Sequence, residues 1–506
     1  KWWTLVLISI ATFMLLLDIT VVNVALPDIR TDLGASLSSL QWVVDAYSLM
    51  LAAFLLTAGS LGDRLGRRRV FTIGFGVFTF ASFLCGIAGD ATLLNLARGL
   101  QGIGGTGMFA TSLALIGQEF HGKDRATAFG VWGATVGGAV AIGPLVGGVI
   151  TEHLGWEWIF FVNVPIGLLA IALTERKLVN VAAQDPQRID LPGLITFSLS
   201  LFLLIFGLIR GNPEGWGSPV IVLSLGAAVL LMASFVAIES RSSHPMLDLT
   251  LFRKPAFNGV SAVAFGLSAG MFAMFLYLTI YMQGVLDYSP LEAGLRFLPL
   301  TVLSFIASPI AGALSHRIPI RVLLGVGLAT VGVGLLLMHG VSADSTWTTL
   351  LAGFLIAGVG IGITNPGIGQ AAIAVVPVEK SGMGSGINTT FRQVGIATGV
   401  ASLGAIFQSR VDSKLSELLP NAPGGLGELV ASGGSKAAAA VAPPGQRAEI
   451  VQASNVAFAS GFNEIILIAA ILSFVGAALG FLLVRSGDFV QGTSPEEEPA
   501  VEPVPG

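Results

Sequence analysis

Only one cysteine, Cys85, stands among the 506 residues, so neither an intramolecular disulfide nor a cysteine metal cluster can form. It lies in an apolar run and reads as inert packing. The five histidines, at 121, 153, 244, 316 and 339, are scattered without metal-ligand spacing, so no metal site is expected. Charge is scarce as well: 11% of residues are Asp, Glu, Lys or Arg, against roughly 25% in a soluble domain. Nucleotide chemistry has no footing. Gly102-Ile-Gly-Gly-Thr-Gly107 fits the GxGxxG spacing but sits inside an apolar run with no strand before it. Gly117-Gln-Glu-Phe-His-Gly122-Lys123 approaches a phosphate-binding loop, but Asp124 replaces the Ser or Thr that magnesium needs. No cofactor and no nucleic-acid partner are expected, and any driving energy should come from an ion gradient.

What the chain has in quantity is hydrocarbon. With 53% hydrophobic residues, 65 glycines and a mean hydropathy of +0.82 it reads as an all-α polytopic membrane protein rather than a soluble enzyme. A span needs about 20 apolar residues, and fourteen candidates are found: 3–26, 41–61, 70–89, 92–117, 126–150, 158–174, 190–210, 218–238, 257–283, 294–314, 321–340, 347–373, 382–408 and 462–484. The numbering opens on Lys1. The run from Trp3 to Leu26 is longer than a signal-peptide core and lacks a small-residue cleavage pattern, so it is read as a retained first span.

An even count puts both termini on one side, and charge selects that side. Gly59 to Arg69, Gly-Ser-Leu-Gly-Asp-Arg-Leu-Gly-Arg-Arg-Arg, is a short basic link between two apolar runs. If it is cytoplasmic, the inner segments hold 17 of the 26 Lys and Arg residues and the outer segments six. Arg98, Arg296 and Arg392 remain within or at the edge of spans. Four of the six outer charges fall in one long loop, where the positive-inside rule has least force. Both termini are therefore expected in the cytoplasm.

That long outer loop, 409–461, is rich in Gly, Ala, Ser and Pro, and the tail 486–506 is acidic and Pro-rich. Neither composition can bury a core, so the loop is expected to be mobile and the tail disordered. A weak internal repeat pairs Gly59-Ser-Leu-Gly-Asp-Arg-Leu-Gly-Arg-Arg with Gly312-Ala-Leu-Ser-His-Arg-Ile-Pro-Ile-Arg. It divides the chain into an N-terminal six-helix half (1–176), a linker with helices 7 and 8 (177–253) and a C-terminal six-helix half (254–485). Parallel halves around a midplane site are a transporter architecture.

Five stretches taken in order resemble one family. They are Leu17-Asp-Ile-Thr-Val-Val-Asn-Val-Ala-Leu-Pro27, the Gly59–Arg69 loop, Arg98-Gly-Leu-Gln-Gly102, Gly143-Pro-Leu-Val-Gly-Gly148 and Trp156-Glu-Trp-Ile-Phe-Phe-Val-Asn-Val-Pro165. Together they are similar to the fourteen-span drug:proton antiporters of the major facilitator superfamily, over Asp18 to about Gln408. Two departures stand out: Glu157 is found where Arg is usual, and the second-half echo has His316 in the acidic position and Phe354 roughly where a second Arg98 would fall. The resemblance implies two six-helix bundles plus two linking helices, in a bacterial plasma membrane. It implies export of lipophilic, often cationic compounds in exchange for protons, by a protein working as a monomer. A dedicated exporter of one endogenous lipid or metabolite, or an uptake permease, would have the same fold.

The resemblance gives the Gly59, Asp63, Arg64, Gly66, Arg67 and Arg68 cluster the role of an inner gate, although a basic loop also serves topology alone. Gly143, Pro144, Gly147 and Gly148 resemble an antiporter motif, and Pro bends a helix while glycines allow close backbone approach. Charges inside spans are costly and functional by default. Asp18 lies about nine residues, or ~13 Å, from the outer end of its helix. Asp45 and Arg98 reach broadly similar depth on two others. Burial favours a neutral acid and a nearby guanidinium favours the carboxylate. Asp18 is expected to be the principal coupling acid, Asp45 to share the proton or meet cationic cargo, and Arg98 to tune both. Asp45, near a helix start, could instead complement the dipole. Substrate-cavity candidates are Asn23, Gln101, Phe161, Asn163, Phe272, Phe275, Tyr277, Tyr281, Asn388, Arg392 and Gln393. The aromatic ones also read as packing, and the polar ones as helix–helix contacts.

Overall fold

The computed structural model describes residues 2–120, 122–178, 190–242, 245, 247–314, 317–376, 381–420, 425–440 and 446–485. Among them there are helices and no strand. The N-terminal group consists of α1 (Trp2–Leu33), α2 (Leu37–Leu65), α3 (Arg67–Gly86), α4 (Ala91–Glu119), α5 (Gly122–Leu154), α6 (Trp158–Phe161) and α7 (Asn163–Lys177). α8 (Leu191–Glu214) and α9 (Pro219–Glu239) follow as a pair. The C-terminal group holds α10 (Pro255–Leu267), α11 (Ala273–Ile280), α12 (Pro290–Leu314), α13 (Ile320–Met338), α14 (Thr348–Ala374), α15 (Ser381–Leu418), α16 (Leu426–Ala431), α17 (Ser435–Ala440) and α18 (Arg447–Leu483).

Every one of the fourteen expected spans falls on a long helical stretch. Twelve stretches are apolar and long enough to cross a bilayer by composition, and α4 and α5, at 29 and 33 residues, have the length. The signals that delimit them are local. Ser36 Oγ accepts the Ser39 N–H to start α2, and Asp90 Oδ1 accepts from Thr92 N and Leu93 N to start α4. Gly66 joins α2 to α3 at φ +94°, where a Cβ would strain the backbone.

Sequence-based limits and structure part company at four places. The sixth span is broken at Val162 into α6 and α7. The ninth is one helix from Pro255 to Val285, interrupted by π-helical turns at Ser268–Phe272 and Tyr281–Val285. α15 and α18 run to 38 and 37 residues, about 55 Å each at 1.5 Å per residue, far beyond a hydrocarbon core of roughly 30 Å. Their ends therefore consume much of 409–461, and the described part of that segment is packed structure rather than a mobile loop. Leu426, Val430, Ala431, Ala438 and Ala439 of α16 and α17 are buried. Hydropathy alone could not reveal this, because alanine and glycine bury without raising a span signal. Residues 421–424, 441–445 and the tail 486–506 lie outside the described residues.

Within the N-terminal group α1 packs on α5, α2 on α4 and α3 on α4 and α7. In the C-terminal group α14 packs on α12 and α13, and α18 on α10, α13 and α15. The pair α8–α9 is fastened through α8 to α2 and α15. The two groups meet along α1–α11, α2–α15 and α5–α12. These meetings gather at the end of the bundle that carries Gly34 and Gly155. There Gln283 Nε2 donates to Val24 O at 2.7 Å, and the Glu152 carboxylate accepts from Ser289 Oγ at 2.5 Å and Leu291 N at 3.0 Å. Gly148 of α5 is so close to Pro290 that an added Cβ would stand 2.6 Å from its carbonyl oxygen. At the opposite, Gly66 end Arg67 bonds Ala114 O, Arg68 bonds Leu178 O and Glu175, and Lys254 bonds Val375 O, each of these links lying within one group. The molecule is thus held shut at the Gly34 end.

Candidate functional site

Asp18 of α1 and Arg98 of α4 are buried at 4% and 1% exposure and form an ion pair, Nη1 to Oδ2, of 2.5 Å. Both Asp18 oxygens and the Nε and Nη1 of Arg98 are hydrogen-bonded. Gln101, one turn along α4 from Arg98, donates to Asp18 Oδ1 at 2.8 Å and to Ser82 Oγ at 2.9 Å, and its Oε1 accepts from Arg98 at 2.5 Å. Asn163 adds a 3.4 Å bond to Asp18, and Arg98 Nε donates to Val43 O at 2.9 Å. The Tyr47 ring covers the guanidinium at 4.5 Å. This set ties α1, α2, α3, α4 and α7 together around one neutralised pair, which is what makes a buried ion pair tolerable.

Asp45 has no part in it. Its side chain is fully buried, and both carboxyl oxygens lack a hydrogen-bond partner among the described residues. One helical turn before it, Gln41 Nε2 donates to the Tyr277 hydroxyl at 3.2 Å and to Val400 O at 3.1 Å, while Tyr277 donates to the same carbonyl at 2.6 Å. Asp45 therefore lies at the α2–α15 boundary between the two helix groups, below a hydrogen-bonded closure. The three charges expected to converge resolve into a satisfied pair and a separate bare acid, because Arg98 spends its donors on Asp18, Gln101 and Val43.

A cavity sits between the groups beneath the closed end. It is lined by Ile19, Thr20, Asn23, Val24, Val44, Pro144, Phe272, Phe275, Thr279, Phe297 and Ile396. Its few polar atoms are mostly turned onto their own helices: Asn23 Nδ2 bonds Ile19 O and Thr20 Oγ1 bonds Leu16 O and Leu17 O. An apolar, aromatic wall results. On α5, Gly143 abuts Thr20, and a Cβ on Gly147 would stand 3.0 Å from Val21 Cα. Together with the Gly148 contact, the glycine stripe seats α5 between α1 and α12.

Of the expected cavity residues, Asn23, Phe272 and Phe275 line it. Gln101 and Asn163 serve Asp18 instead. Tyr277 and Tyr281 are fully buried, the first in the Gln41 closure and the second stacked on Phe462 at 5.0 Å, so neither faces the cavity. Phe161 packs on Gly86 and Phe83, away from it. Their aromatic spacing reflected helix packing. Asn388, Arg392 and Gln393 lie on α15; Asn388 Nδ2 and Gln393 Oε1 are buried without partners. Gly59 borders open space, and the side chain of Asp63 lies outside the described residues. Sequence reading missed Gln41, Tyr47, Thr279, Phe297 and Ile396. Only Gln41 carried a usable signal, its i,i+4 spacing to Asp45.

The helix order, the two groups around a central cavity and the linking pair define a secondary-transporter fold. Residues 8–400 match the Major Facilitator Superfamily. The multidrug resistance protein Stp of Mycobacterium tuberculosis is 36% identical over 83% of this chain and 78% of its own length. The tetracenomycin C resistance and export protein of Streptomyces glaucescens is 33% identical over 100% and 94%. The multidrug efflux pump LfrA of Mycolicibacterium smegmatis is 33% identical over 94% and 95%. Among solved structures, a bacterial homologue of the human lysosomal transporter Spinster, inward-facing and unoccupied, superposes with a TM-score of 0.62 at 18% identity, covering 97% of this chain and 98% of that one. The chain belongs to the Major Facilitator Superfamily and is an integral membrane protein.

Proposed function

We propose that this chain exports lipophilic, often cationic drugs from the cytoplasm of a bacterium in exchange for protons, by alternating access and as a monomer. The names of the related multidrug and antibiotic-resistance proteins support the cargo class. The observation that carries proton coupling is Asp45. A carboxylate buried with no donor costs several kcal/mol, so its surroundings fit the protonated acid while the Gly34 end is shut. With the Gly34 end shut and outside, a cationic cargo entering from the cytoplasm would displace the Asp45 proton to that side, the two competing for one charge. Opening the Gly34 end would then part α2 from α15, let the cargo leave outside and let Asp45 take up a proton there. Asp18, bonded to Arg98 and Gln101, positions α1 and α4 in this cycle. That reverses the weight first placed on the two acids, because pairing suits Asp18 to a fixed charge.

The Gly66 end and both termini are assigned to the cytoplasm by the charge distribution. Asp63 and its arginines would then latch the two groups at that end when the other opens; Asp63→Asn should abolish transport in an inserted protein. The test of the whole reading is dye accumulation in cells with and without the protein, each with and without a protonophore. Lower accumulation that the protonophore abolishes is expected. Equal accumulation with and without the protein, across chemically diverse dyes, would overturn it.

A further inference from the structure

A second guanidinium among the helices, that of half-buried Arg392 on α15, is treated by the fold quite unlike the first. Arg98 is paired with Asp18 and bonded to Gln101 and Val43. Arg392 has no hydrogen-bond or ion-pair partner among the described residues, and the Phe272 ring lies 5.9 Å from its central carbon. Phe272 closes the first π-helical turn, and α15 approaches that turn closely because Gly395 and Gly399 lack side chains: a Cβ on either would come within 3.0 Å of it or its flanks. Such π turns recur at functional sites.

Placement gives the bare guanidinium a purpose. Asn388, Arg392 and Ile396 follow one another at i, i+4 and i+8, so they share one face of α15. Ile396 and Phe272 both line the apolar cavity. Arg392 therefore stands one turn from the cavity wall, against one of its rings. Asn388, 5% exposed, adds an unused Nδ2 donor one turn further along. An unused planar fork of donors, an unused amide donor and a neighbouring aromatic chamber together describe an acceptor site for a planar anion.

We infer that Arg392 and Asn388 bind the acidic group, a carboxylate or phenolate, of an aromatic substrate whose rings enter the Phe272–Phe275 cavity. This rests on the export reading and deepens it. Ionisable groups of both signs then stand near the cavity wall, Asp45 next to Val44 on one helix group and Arg392 one turn from Ile396 on the other.

The test uses fluorescein, an acidic xanthene dye, and rhodamine 123, a cationic one of similar frame. Binding to the purified full-length protein in detergent is followed by fluorescence anisotropy, and uptake by energised inside-out vesicles is followed in parallel. Loss of a charge-assisted contact should lower the fluorescein-to-rhodamine 123 affinity ratio by roughly tenfold or more in Arg392→Gln, and Arg392→Lys should restore most of it. An unchanged ratio in Arg392→Gln, or equal weakening of both dyes, assigns the residue to structure and overturns the inference. Energised uptake of rhodamine 123 with no wild-type binding of fluorescein also overturns it and leaves the export reading intact. If neither dye is bound or moved, the export reading falls and takes this inference with it.

Discussion

Asp18 and Asp45 lie on neighbouring helices at comparable depth, and their surroundings ask opposite things of them. Asp18→Asn would leave the Arg98 charge buried without its partner, a loss of about 3–5 kcal/mol for pairs of this kind. The expected outcome is a lower melting temperature in detergent, partly restored in Asp18→Asn/Arg98→Gln. A melting temperature equal to wild type would show that the pair is not held as described. Asp45→Asn mimics the protonated acid in shape and charge, so the protein should insert and melt normally while cargo-induced proton release from purified protein disappears. Normal proton release by that variant would move the coupling site elsewhere. The identities of the buried charges were legible in the sequence, since Asp18, Asp45 and Arg98 interrupt apolar runs. Their pairing was not. Depth along three helices says nothing of which way each side chain points, and the Gln101 bridge that commits Arg98 to Asp18 depends on how α1 and α4 are rotated.

At the level of elements, composition located fourteen long helical stretches, twelve of them apolar enough to cross a bilayer, because hydrocarbon length is a one-dimensional property. The ends and irregularities escaped it. The extensions of α15 and α18 are built from small and polar residues that hydropathy ignores, and the π turns flanking α11 change the register of a helix without changing its composition. The glycines of α5 were visible as a motif, but their neighbours on α1 and α12 were not. Those neighbours give a prediction. A methyl on Gly148 would meet backbone, Pro290 O at 2.6 Å and Leu291 Cα at 2.8 Å, which cannot rotate away. Gly148→Ala should hold the α5–α12 seam apart and slow export severalfold or more in a correctly inserted protein. Gly76→Ala, where a Cβ meets nothing within 4 Å, is the matched control. Equal export by the two variants would show that the close seam is dispensable.

For the whole molecule, alternating access needs a seam that closes firmly and still opens, and the Gly34 end meets that need with a few polar bonds over a glycine-fitted contact. Its sidedness is open to a direct check. In a Cys85→Ala background, an impermeant thiol reagent on intact cells should label Lys436→Cys at α17 and spare Arg64→Cys at the end of α2; both native side chains are exposed. The reverse pattern would invert the assignment and make the closed end cytoplasmic. With the closed end outside, its bonds meet the pH of the medium, and Glu152 is the titrating group among them. Its carboxyl is held below the ordinary value of 4.5, first by the Ser289 hydroxyl and then by the Leu291 N–H, both on the opposite helix group. Closure thus stabilises the carboxylate over the acid. By linkage the carboxylate in turn favours closure above pH 4.5, and that contribution is lost as pH falls through the lowered value. His153 beside it and Glu292, which accepts from Ser289 N, share the neighbourhood, so the variant must isolate Glu152 alone. With spin labels at Leu154→Cys and Leu295→Cys on α5 and α12, the separated population should grow as pH is lowered from about 6 to about 3.5. In Glu152→Gln, whose amide keeps the shape but carries no charge at any pH, the population should start more open and change less. A variant that titrates as wild type does would assign the pH response to other groups and reduce the Glu152 bonds to simple packing.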